Sequence, residues 1–453
     1  MMALAEAAAI VGAAVRPTGR PTSRFSGVGT DSRTLKPGEL FVALEGPRFD
    51  GHDYLPTVAA AGAAGALVRR AHPALPCIEV ADPLAALAQL AAAWRMRFEL
   101  PLVAVTGSSG KTTIKELLAA ALAGLGPVLA TRGNRNNHIG VPLTLLELRD
   151  AHRAAVIEMG MNHAGEIAHL ADLARPTAGV IGNAGAAHLE GLGSLAAVAR
   201  AKGELVEHLP PNAVAVLNAD DPHLPLWRDL AGARRVVTFG LDHPAEVSAD
   251  YTLGADGSAL ELRTPAGTAT ARLGLLGRHN VLNALAATAA ALAAGAALAD
   301  IASGLATVRP VPGRLYPLAG QGGARLIDDS YNANPLSVRA AIDVLACLPG
   351  ERLLVLGDMG ELGADAVRLH AECGAAVRAA GIEHLVTLGP LSAHAATAFG
   401  AGAVACTELA QAIDVAGARL HADLSVLVKG SRSAGMERVV QALAAGDAPG
   451  GGH

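Results

Sequence analysis

This chain contains few lysines, few aromatic residues and few cysteines. Aromatic residues make up only 3% of its 453 residues, and only five of the 36 basic residues are lysines. The four cysteines are scattered and form no CxxC pair, which argues against a disulfide framework and against a structural zinc site. The formal net charge is -5, so we expect no nucleic-acid partner bound through bulk positive charge.

The sequence also lacks a segment typical of a membrane helix. Its most apolar stretch, residues 284–299, is almost entirely alanine, and because such segments insert weakly we predict a buried helix there. The first residues carry no basic cluster and include Glu6, which indicates a first helix rather than a signal peptide. We therefore expect a cytoplasmic protein without a membrane span, and we expect a monomer.

The order of apolar segments predicts a three-domain α/β protein. The length suggests about three domains, the pair Leu100-Pro101 ends a predicted helix, and the Pro- and Gly-containing segment 309–313 marks a second boundary. We predict an N-terminal α/β domain at 1–99, a central domain with a mostly parallel sheet at 100–312, and a doubly wound, Rossmann-like C-terminal domain at 313–453.

The pattern changes within the predicted central domain. Short β-like segments between about 235 and 275 (RVVTFG, SALELR and ATARLGL) predict an antiparallel insertion. A long alanine-rich helix is predicted to follow it, at about 281–299.

The strongest local motif is the segment TGSSGKTT, at residues 106–113. A strand precedes it and a helix opens at its Lys-Thr pair, so backbone N–H groups and the helix dipole would face an anion. Lys111 would reach the β- and γ-phosphates of a nucleotide, and Thr112 would bind Mg²⁺. The strict pattern requires glycine at position 105, where this chain has Val105, so the motif is a variant. The alternative is an ordinary glycine-rich turn between a strand and a helix.

Three further side chains could hold a metal ion beside this motif. Glu158 ends one predicted strand and His188 follows another, and open α/β sheets bind ligands at the carboxyl ends of their strands. A carboxylate and an imidazole there could coordinate a divalent ion, whereas a lone histidine in a loop is more often a surface or capping residue. Lys202 lies on a predicted helix. It is a solvated helix lysine, a phosphate ligand, or an amine that reacts with CO₂ to form a metal-binding carbamate, which arginine cannot do.

Polar loops of the predicted C-terminal domain suggest contacts with sugars or anions. Asp328 and Asp329 begin the segment DDSYNANP, and Gly313-Arg314 and the segment KGSRS at 429–433 would each suit an anion. For each of these, the alternative is a solvated surface loop.

These motifs resemble those of the Mur ligase family, in the family's order and over almost the whole chain. GRHNVLNALAA resembles its adenine-contacting segment, and PGRL and DDSYNANP resemble the elements that its C-terminal domain brings to ATP. The resemblance implies ATP contacts at Thr106, Gly107, Ser108, Ser109, Gly110, Lys111, Thr112, Thr113, His279, Asn280, Asn283, Arg314 and Asp329. It implies two Mg²⁺ ions, held by Thr112, Glu158, His188 and carbamylated Lys202. The implied catalytic residues are Lys111, Lys202, His188 and Glu158.

Three segments are similar to one branch of this family: DSYNANP, LGDMGELG and LVKGSRSAGMERVV. That branch joins D-alanyl-D-alanine to UDP-N-acetylmuramoyl-tripeptide (UDP-MurNAc-tripeptide). The N-terminal segment GTDSRTLKPGELFVALEG is similar to the family's UDP-binding module, and no DNPR-type signature of the diaminopimelate-adding branch is present. The resemblance implies UDP-substrate contacts at Asp31, Ser32, Arg33, Gly46, Asn136 and Asn137. It implies dipeptide contacts at Tyr331, Asn332, Asn334 and Lys429.

The resemblance also implies a reaction in which a peptide carboxylate attacks the γ-phosphorus of ATP and an amine then attacks the acyl phosphate. Bringing a carboxylate to a triphosphate is electrostatically unfavourable, so catalysis would depend on positioning and charge neutralisation. The alternatives are a family member that adds a single amino acid, folylpolyglutamate synthase, a P-loop GTPase and an inactive paralogue. The N-terminal module argues against folylpolyglutamate synthase, and the lack of an NKxD-like signature argues against a GTPase.

Overall fold

The computed structural model describes residues 1–16, 23–187 and 189–446. His188, predicted above as a metal ligand, therefore lies outside the described residues. Three larger sheets follow one another along the chain and are mostly parallel, which confirms the predicted α/β class. The domain boundaries near residues 99 and 312 remain predictions.

The first part of the chain forms a small mixed sheet with helices packed on it. Its elements are α1 (Leu4–Ile10), β1 (Val15–Arg16), β2 (Val28–Gly29), β3 (Leu40–Val42), β4 (Glu45–Gly46), β5 (Phe49–Asp50), α2 (Leu55–Ala60), β6 (Gly65–Val68), β7 (Cys77–Glu79) and α3 (Pro83–Arg95). The sheet order is β1-β7-β6-β3-β2, with β1 antiparallel to β7 and the other pairs parallel. Near the end of α3, Trp94 donates a hydrogen bond of 3.1 Å from Nε1 to the carbonyl of Leu148, which ties this part to the next.

The central part contains a six-stranded parallel sheet. Its elements are β8 (Leu102–Thr106), α4 (Lys111–Ala121), β9 (Val128–Ala130), α5 (Gly140–Leu145), β10 (Ala154–Glu158), α6 (Glu166–Ala174), β11 (Ala178–Ile181), α7 (Leu189–Leu192), α8 (Leu195–Glu207), β12 (Val214–Asn218), α9 (Leu224–Ala231), β13 (Arg235–Phe239), β14 (Ser248–Gly254), β15 (Gly257–Thr264), β16 (Gly267–Leu273), α10 (Arg278–Ala293) and α11 (Leu298–Leu305). The order is β13-β12-β11-β8-β10-β9. Every residue of β8 is buried, as expected for a parallel strand covered by helices on both faces.

Two details of the sequence prediction for this part are wrong. The segment RVVTF is β13, which pairs in parallel with β12 and extends the central sheet, so the antiparallel insertion is only β14, β15 and β16. A short apolar strand does not encode the direction of its neighbour, and tertiary pairing decided it. The predicted helix over 281–299 is two helices, α10 and α11, because Gly295 adopts a left-handed φ of 89° just after α10 ends.

The last part is a doubly wound sheet with one antiparallel edge. Its elements are β17 (Tyr316–Ala319), β18 (Arg325–Asp329), α12 (Pro335–Ala346), β19 (Glu351–Gly357), α13 (Ala366–Ala379), β20 (His384–Leu388), α14 (Ala393–Phe399), β21 (Ala403–Cys406), α15 (Leu409–Gly417), β22 (Leu424–Lys429) and α16 (Glu437–Leu443). The order is β17-β18-β22-β19-β20-β21, with β17 antiparallel to β18. Across the described ranges, no helix combines the length and the hydropathy needed to cross a membrane.

Candidate active site

A cavity of about 1530 Å³ lies between the central and C-terminal parts of the chain. It is lined by the carboxyl ends of β8 and β10, the start of α10 and the loops after β18 and β22. The predicted site residues that line it are Ser108, Ser109, Gly110, Lys111, Thr112, Thr113, Asn136, Asn137, Glu158, His279, Asn280, Asn283, Arg314, Asp329, Tyr331, Asn332, Asn334 and Lys429. The predicted site residues that do not line it are Thr106, Gly107, Lys202, Asp31, Ser32, Arg33 and Gly46.

The loop predicted to bind phosphate, residues 107–110 and called the phosphate loop below, is held in shape by a residue of the neighbouring loop. Asn183, just after β11, accepts a hydrogen bond of 3.1 Å at its carbonyl from the Ser108 backbone and one of 2.9 Å at its side chain from the Ser109 backbone. Gly110 has a φ of 79°, and a Cβ there would lie 2.6 Å from Oδ1 of Asn283, so glycine is needed. The loop therefore has a fixed conformation at the start of α4, where anions bind.

Lys111 begins α4 and lies against the phosphate loop. Its Nζ donates a hydrogen bond of 2.8 Å to the carbonyl of Gly107. Burial lowers the pKa of Lys111, and the charge of Arg314 lowers it further. The charges of Glu158 and Glu361 raise this pKa and so oppose the effect of burial. Two positive groups from different domains thus face one part of the cavity, which suits a polyphosphate.

Thr112 and Glu158 form a pair of oxygen donors beside the loop. The Thr112 hydroxyl donates a hydrogen bond of 2.9 Å to Oε2 of Glu158, and Asn136 donates one of 2.8 Å to Oε1. Glu158 itself is only 2% exposed. A hydroxyl and a carboxylate are hard oxygen ligands of the kind that Mg²⁺ prefers, so this donor set fits the ion that the sequence predicts.

Lys202 is buried inside the structure on α8, so the solvated-lysine alternative is wrong. Only 1% of the residue is exposed, and within residues 1–16, 23–187 and 189–446 its amine forms no ion pair or hydrogen bond. Burial lowers the pKa of Lys202 well below its ordinary value, and the charge of Lys111 acts in the same direction. An uncharged buried amine is the form that can react with CO₂.

The start of α10 packs against the phosphate loop. Asn283 donates a hydrogen bond of 3.0 Å to Oδ1 of Asn280, and Asn280 donates one of 2.8 Å to the carbonyl of Leu276. Burial lowers the pKa of His279 to about 4, helped by the charge of Lys429, so this ring is neutral at pH 7. A neutral imidazole and side-chain amides can contact a nucleobase without adding charge.

Asp329 and Lys429 join two neighbouring strands of the last sheet at the cavity wall. Lys429 donates hydrogen bonds of 2.6 Å to Oδ2 of Asp329 and 3.0 Å to the carbonyl of Asn332. Burial raises the pKa of Asp329, against the lowering effect of Lys429. Beside this pair, the guanidinium of Arg314 lies 4.2 Å from the ring centre of Tyr331.

Asn334 connects the C-terminal part directly to the phosphate loop. Its side chain caps α12 by accepting a hydrogen bond of 2.9 Å from the backbone of Ser337. Its Nδ2 also donates to the hydroxyl of Ser109 at 3.1 Å and to the carbonyl of Ser108 at 3.4 Å. The fold therefore brings a residue from a predicted dipeptide site onto the loop predicted to bind phosphate.

Four of the six residues predicted to contact the UDP substrate lie apart from this cavity, namely Asp31, Ser32, Arg33 and Gly46. Asp31 and Arg33 form an ion pair of 2.7 Å, which lowers the pKa of Asp31 to about 2. Gly46 lies in β4 of the small hairpin. Asn137 lines the cavity, and its side-chain oxygen accepts a hydrogen bond of 2.9 Å from the backbone of Gly140, the first residue of α5. The fold thus divides the predicted substrate contacts between two places.

Sequence reasoning missed several residues of this cavity. Asn183 follows β11, and its position at the carboxyl end of a parallel strand was the available signal. Arg278 lines the cavity and is held by Tyr251 at 3.0 Å and Asp242 at 2.5 Å. No local pattern indicates Arg278, because its partners come from the insertion and the loop before it.

Three domain models of one protein family match successive parts of the chain. The Mur ligase family catalytic domain matches residues 24–95, the Mur ligase middle domain matches 105–291, and the Mur ligase glutamate ligase domain matches 313–432. The matches together span most of the chain and include the phosphate loop. The chain belongs to the Mur ligase family.

Individual relatives narrow this class to one branch. The chain is 46% identical, over 424 residues, to the UDP-N-acetylmuramoyl-tripeptide–D-alanyl-D-alanine ligase of Escherichia coli (strain K12). The aligned residues cover 92% of this chain and 93% of the relative. The fold is similar to crystal structure I of MurF from Acinetobacter baumannii, with a TM-score of 0.91, 36% identity and coverage of 97% and 98%. It is also similar to the MurF ligase from Thermotoga maritima in complex with ADP, with a TM-score of 0.82 and 28% identity. That match covers 93% of this chain and 97% of the Thermotoga maritima chain.

Proposed function

We propose that this chain joins D-alanyl-D-alanine to UDP-MurNAc-tripeptide while converting ATP to ADP and phosphate. The observation that carries the proposal is the 46% identity over almost the full length of a ligase with that name. The cavity supports it, because its lining combines the phosphate loop with loops of the C-terminal part. A reaction that joins three molecules needs such a composite site.

In this proposal the triphosphate of ATP lies on the phosphate loop. The backbone of residues 107–110 would orient the phosphates, and the ammonium of Lys111 would neutralise them. Arg314 supplies further positive charge from the C-terminal part. The adenine would lie beside His279, Asn280 and Asn283 at the start of α10.

Mg²⁺ fits the oxygen donors beside the loop. Thr112 and Glu158 would hold one ion, and His188 and carbamylated Lys202 would hold a second. When bound, Mg²⁺ would neutralise phosphate oxygens and lower the repulsion of an approaching carboxylate. Carbamylation is supported by the burial of Lys202 and by its unpaired amine within the described residues.

The proposed chemistry has two steps. The terminal carboxylate of the tripeptide attacks the γ-phosphorus, so an O–P bond forms, the bond to ADP breaks and an acyl phosphate results. The uncharged amine of D-alanyl-D-alanine then attacks the acyl carbon, so a C–N bond forms, the C–O bond to phosphate breaks and one proton leaves the nitrogen. The cavity walls would limit the access of water to the acyl phosphate.

A coupled assay of phosphate release tests this proposal. Turnover should require ATP, UDP-MurNAc-tripeptide and D-alanyl-D-alanine together, and mass spectrometry should detect the UDP-MurNAc-pentapeptide. Diaminopimelate, lysine and glutamate should not replace the dipeptide. Turnover with a single amino acid and none with the dipeptide would assign the chain to another branch, and turnover with a folate substrate would favour folylpolyglutamate synthase.

We also propose a cytoplasmic location. Cys77, Cys347, Cys373 and Cys406 are free thiols in the structure, which fits a reducing compartment. ATP as a substrate fits the same compartment.

A further inference from the structure

The proposed dipeptide substrate carries two charges that the cavity must recognise. At neutral pH its α-amino group is mostly an ammonium and its terminal carboxyl group is ionised. Lys429, a predicted dipeptide contact, is 2% exposed and already bonded to Asp329 and Asn332. Asn334 is bonded to the phosphate loop. Two further charged side chains of the C-terminal part, Glu361 and Arg432, line the same cavity.

Two loops of the C-terminal part meet at the cavity wall and are joined by hydrogen bonds. One loop is 358–361, after β19, and the other is 431–433, after β22. The carbonyl of Asp358 accepts hydrogen bonds from the backbone N–H of Ser431 at 2.9 Å and from its hydroxyl at 2.7 Å. The Ser431 hydroxyl also lies 3.1 Å from that of Ser433. These hydrogen bonds connect the two loops directly.

The first of these loops is fixed in an unusual conformation. Glu361 has a φ of 61°, which is uncommon for a residue with a side chain and costs free energy. Buried His370 anchors the loop by accepting a hydrogen bond of 2.9 Å from the backbone of Met359. The carbonyl of Glu361 accepts one of 3.3 Å from the backbone of Glu190 on α7, in the central part. These contacts turn the Glu361 side chain toward the cavity, where it is exposed.

The second loop presents a guanidinium to the same cavity. Arg432 is exposed and lies 5.9 Å from the ring centre of Tyr331, with Arg314 closer to that ring. Within the described part of the chain, no carboxylate forms an ion pair with Arg432. A guanidinium can form two parallel hydrogen bonds with a carboxylate, which makes it selective for that group.

We infer that the joined loops 358–361 and 431–433 bind the zwitterionic dipeptide, with Arg432 holding its terminal carboxylate and Glu361 holding its ammonium. This inference rests on the proposed function. The orientation follows from the surroundings of Glu361, which contacts α7 and whose charge acts on Lys111 at the phosphate loop, where the acyl phosphate would form. The nitrogen that attacks would thus lie near the acyl phosphate.

The test compares D-alanyl-D-alanine with its C-terminal amide, which keeps the ammonium and lacks the carboxylate. Phosphate release is measured at saturating ATP and UDP-MurNAc-tripeptide while either acceptor is varied. Arg432→Met should raise the KM for the dipeptide roughly 10- to 100-fold and leave the KM for the amide at its wild-type value. Arg432→Lys should have an intermediate effect. Glu361→Gln should raise the KM for both acceptors equally.

Arg438→Met is the matched control, because it removes an exposed arginine six residues away that does not line the cavity. It should change neither KM. An equal rise for both acceptors in Arg432→Met, or a rise in its KM for ATP instead, would overturn the assignment of Arg432. An unchanged KM for both acceptors in Glu361→Gln would overturn that of Glu361. Lack of wild-type turnover with D-alanyl-D-alanine would instead refute the proposed function.

Discussion

At the scale of single residues, Lys111 carries the charge that the phosphate loop presents to the cavity. Lys111→Ala should lower ATP turnover by roughly 1000-fold or more, because it removes preorganised charge from the transferring phosphoryl group. The fold should persist, since among the described residues Lys111 makes one side-chain hydrogen bond, to Gly107. Steady-state phosphate release and thermal melting measure the two effects. Lys36→Ala, at an exposed lysine, is the control, and near-normal turnover in Lys111→Ala would contradict the phosphate-loop assignment.

The proposed carbamate on Lys202 can be tested by isotope labelling, independently of catalysis. Bicarbonate labelled with ¹³C should give a carbamate signal in the wild type and none in Lys202→Arg, because a guanidinium stays protonated. The variant retains the other four lysines, so loss of the signal assigns it to Lys202. Lys202→Ala should be nearly inactive, with partial rescue by acetate or formate. Full activity in Lys202→Arg would exclude the carbamate.

At the scale of elements, buried His370 on α13 links protonation to the loop after β19. Its Nε2 accepts from Met359 and its Nδ1 lies 2.7 Å from the carbonyl of Ala366, so the ring is held neutral. Burial lowers its pKa below the ordinary value. The unfolded state therefore binds more protons below about pH 6.5, and stability is lost as the pH falls from there through the folded-state pKa.

His370→Gln is expected to reduce the dependence of the free energy of unfolding on pH. Glutamine can accept from Met359 with its side-chain oxygen, but it does not titrate. Chemical denaturation between pH 4.5 and pH 7.5 should show a smaller slope in the variant, by at most about 1.4 kcal/mol per pH unit. His279 and His152 also have lowered pKa values, so part of the slope should remain. An identical slope in both proteins would show that His370 titrates alike in the folded and unfolded states.

At the scale of the whole molecule, contacts between the central and C-terminal parts complete the site. Asn334→Ser should raise the KM for ATP about 3- to 10-fold, because serine can still cap α12 but is too short to reach Ser108 and Ser109. Thermal stability should change little. Without ligands, small-angle scattering should show a more expanded average shape for the Asn334→Ser variant than for the wild type. Unchanged ATP kinetics with unchanged scattering would mean that this contact does not control domain docking.

Much of the site could be predicted from local sequence. A strand, a glycine-containing turn and a Lys-Thr pair opening a helix encode the phosphate loop, because helix starts and turns depend on neighbouring residues. Glu158 could be placed for a similar reason, since the carboxyl ends of parallel strands share one edge of a sheet. The α/β class likewise follows from the alternation of apolar segments.

Contacts between distant segments could not be predicted in this way. Ser109 and Asn334 are 225 residues apart and Asp329 and Lys429 are 100 apart, so only the packed fold brings them together. The direction of β13 and the end of α10 at Gly295 also depended on tertiary packing.

The sequence by itself determined the α/β class, the phosphate loop and the scarcity of lysine that singled out Lys202. The tertiary structure alone decided that Lys202 is buried without a partner in the described chain, and that Asp31 and Arg33 lie away from the cavity. The physical reason is the separation along the sequence between the residues that determine each feature. Hydrogen bonds within a turn are fixed by neighbouring residues, whereas burial and desolvation depend on every segment that packs around a side chain.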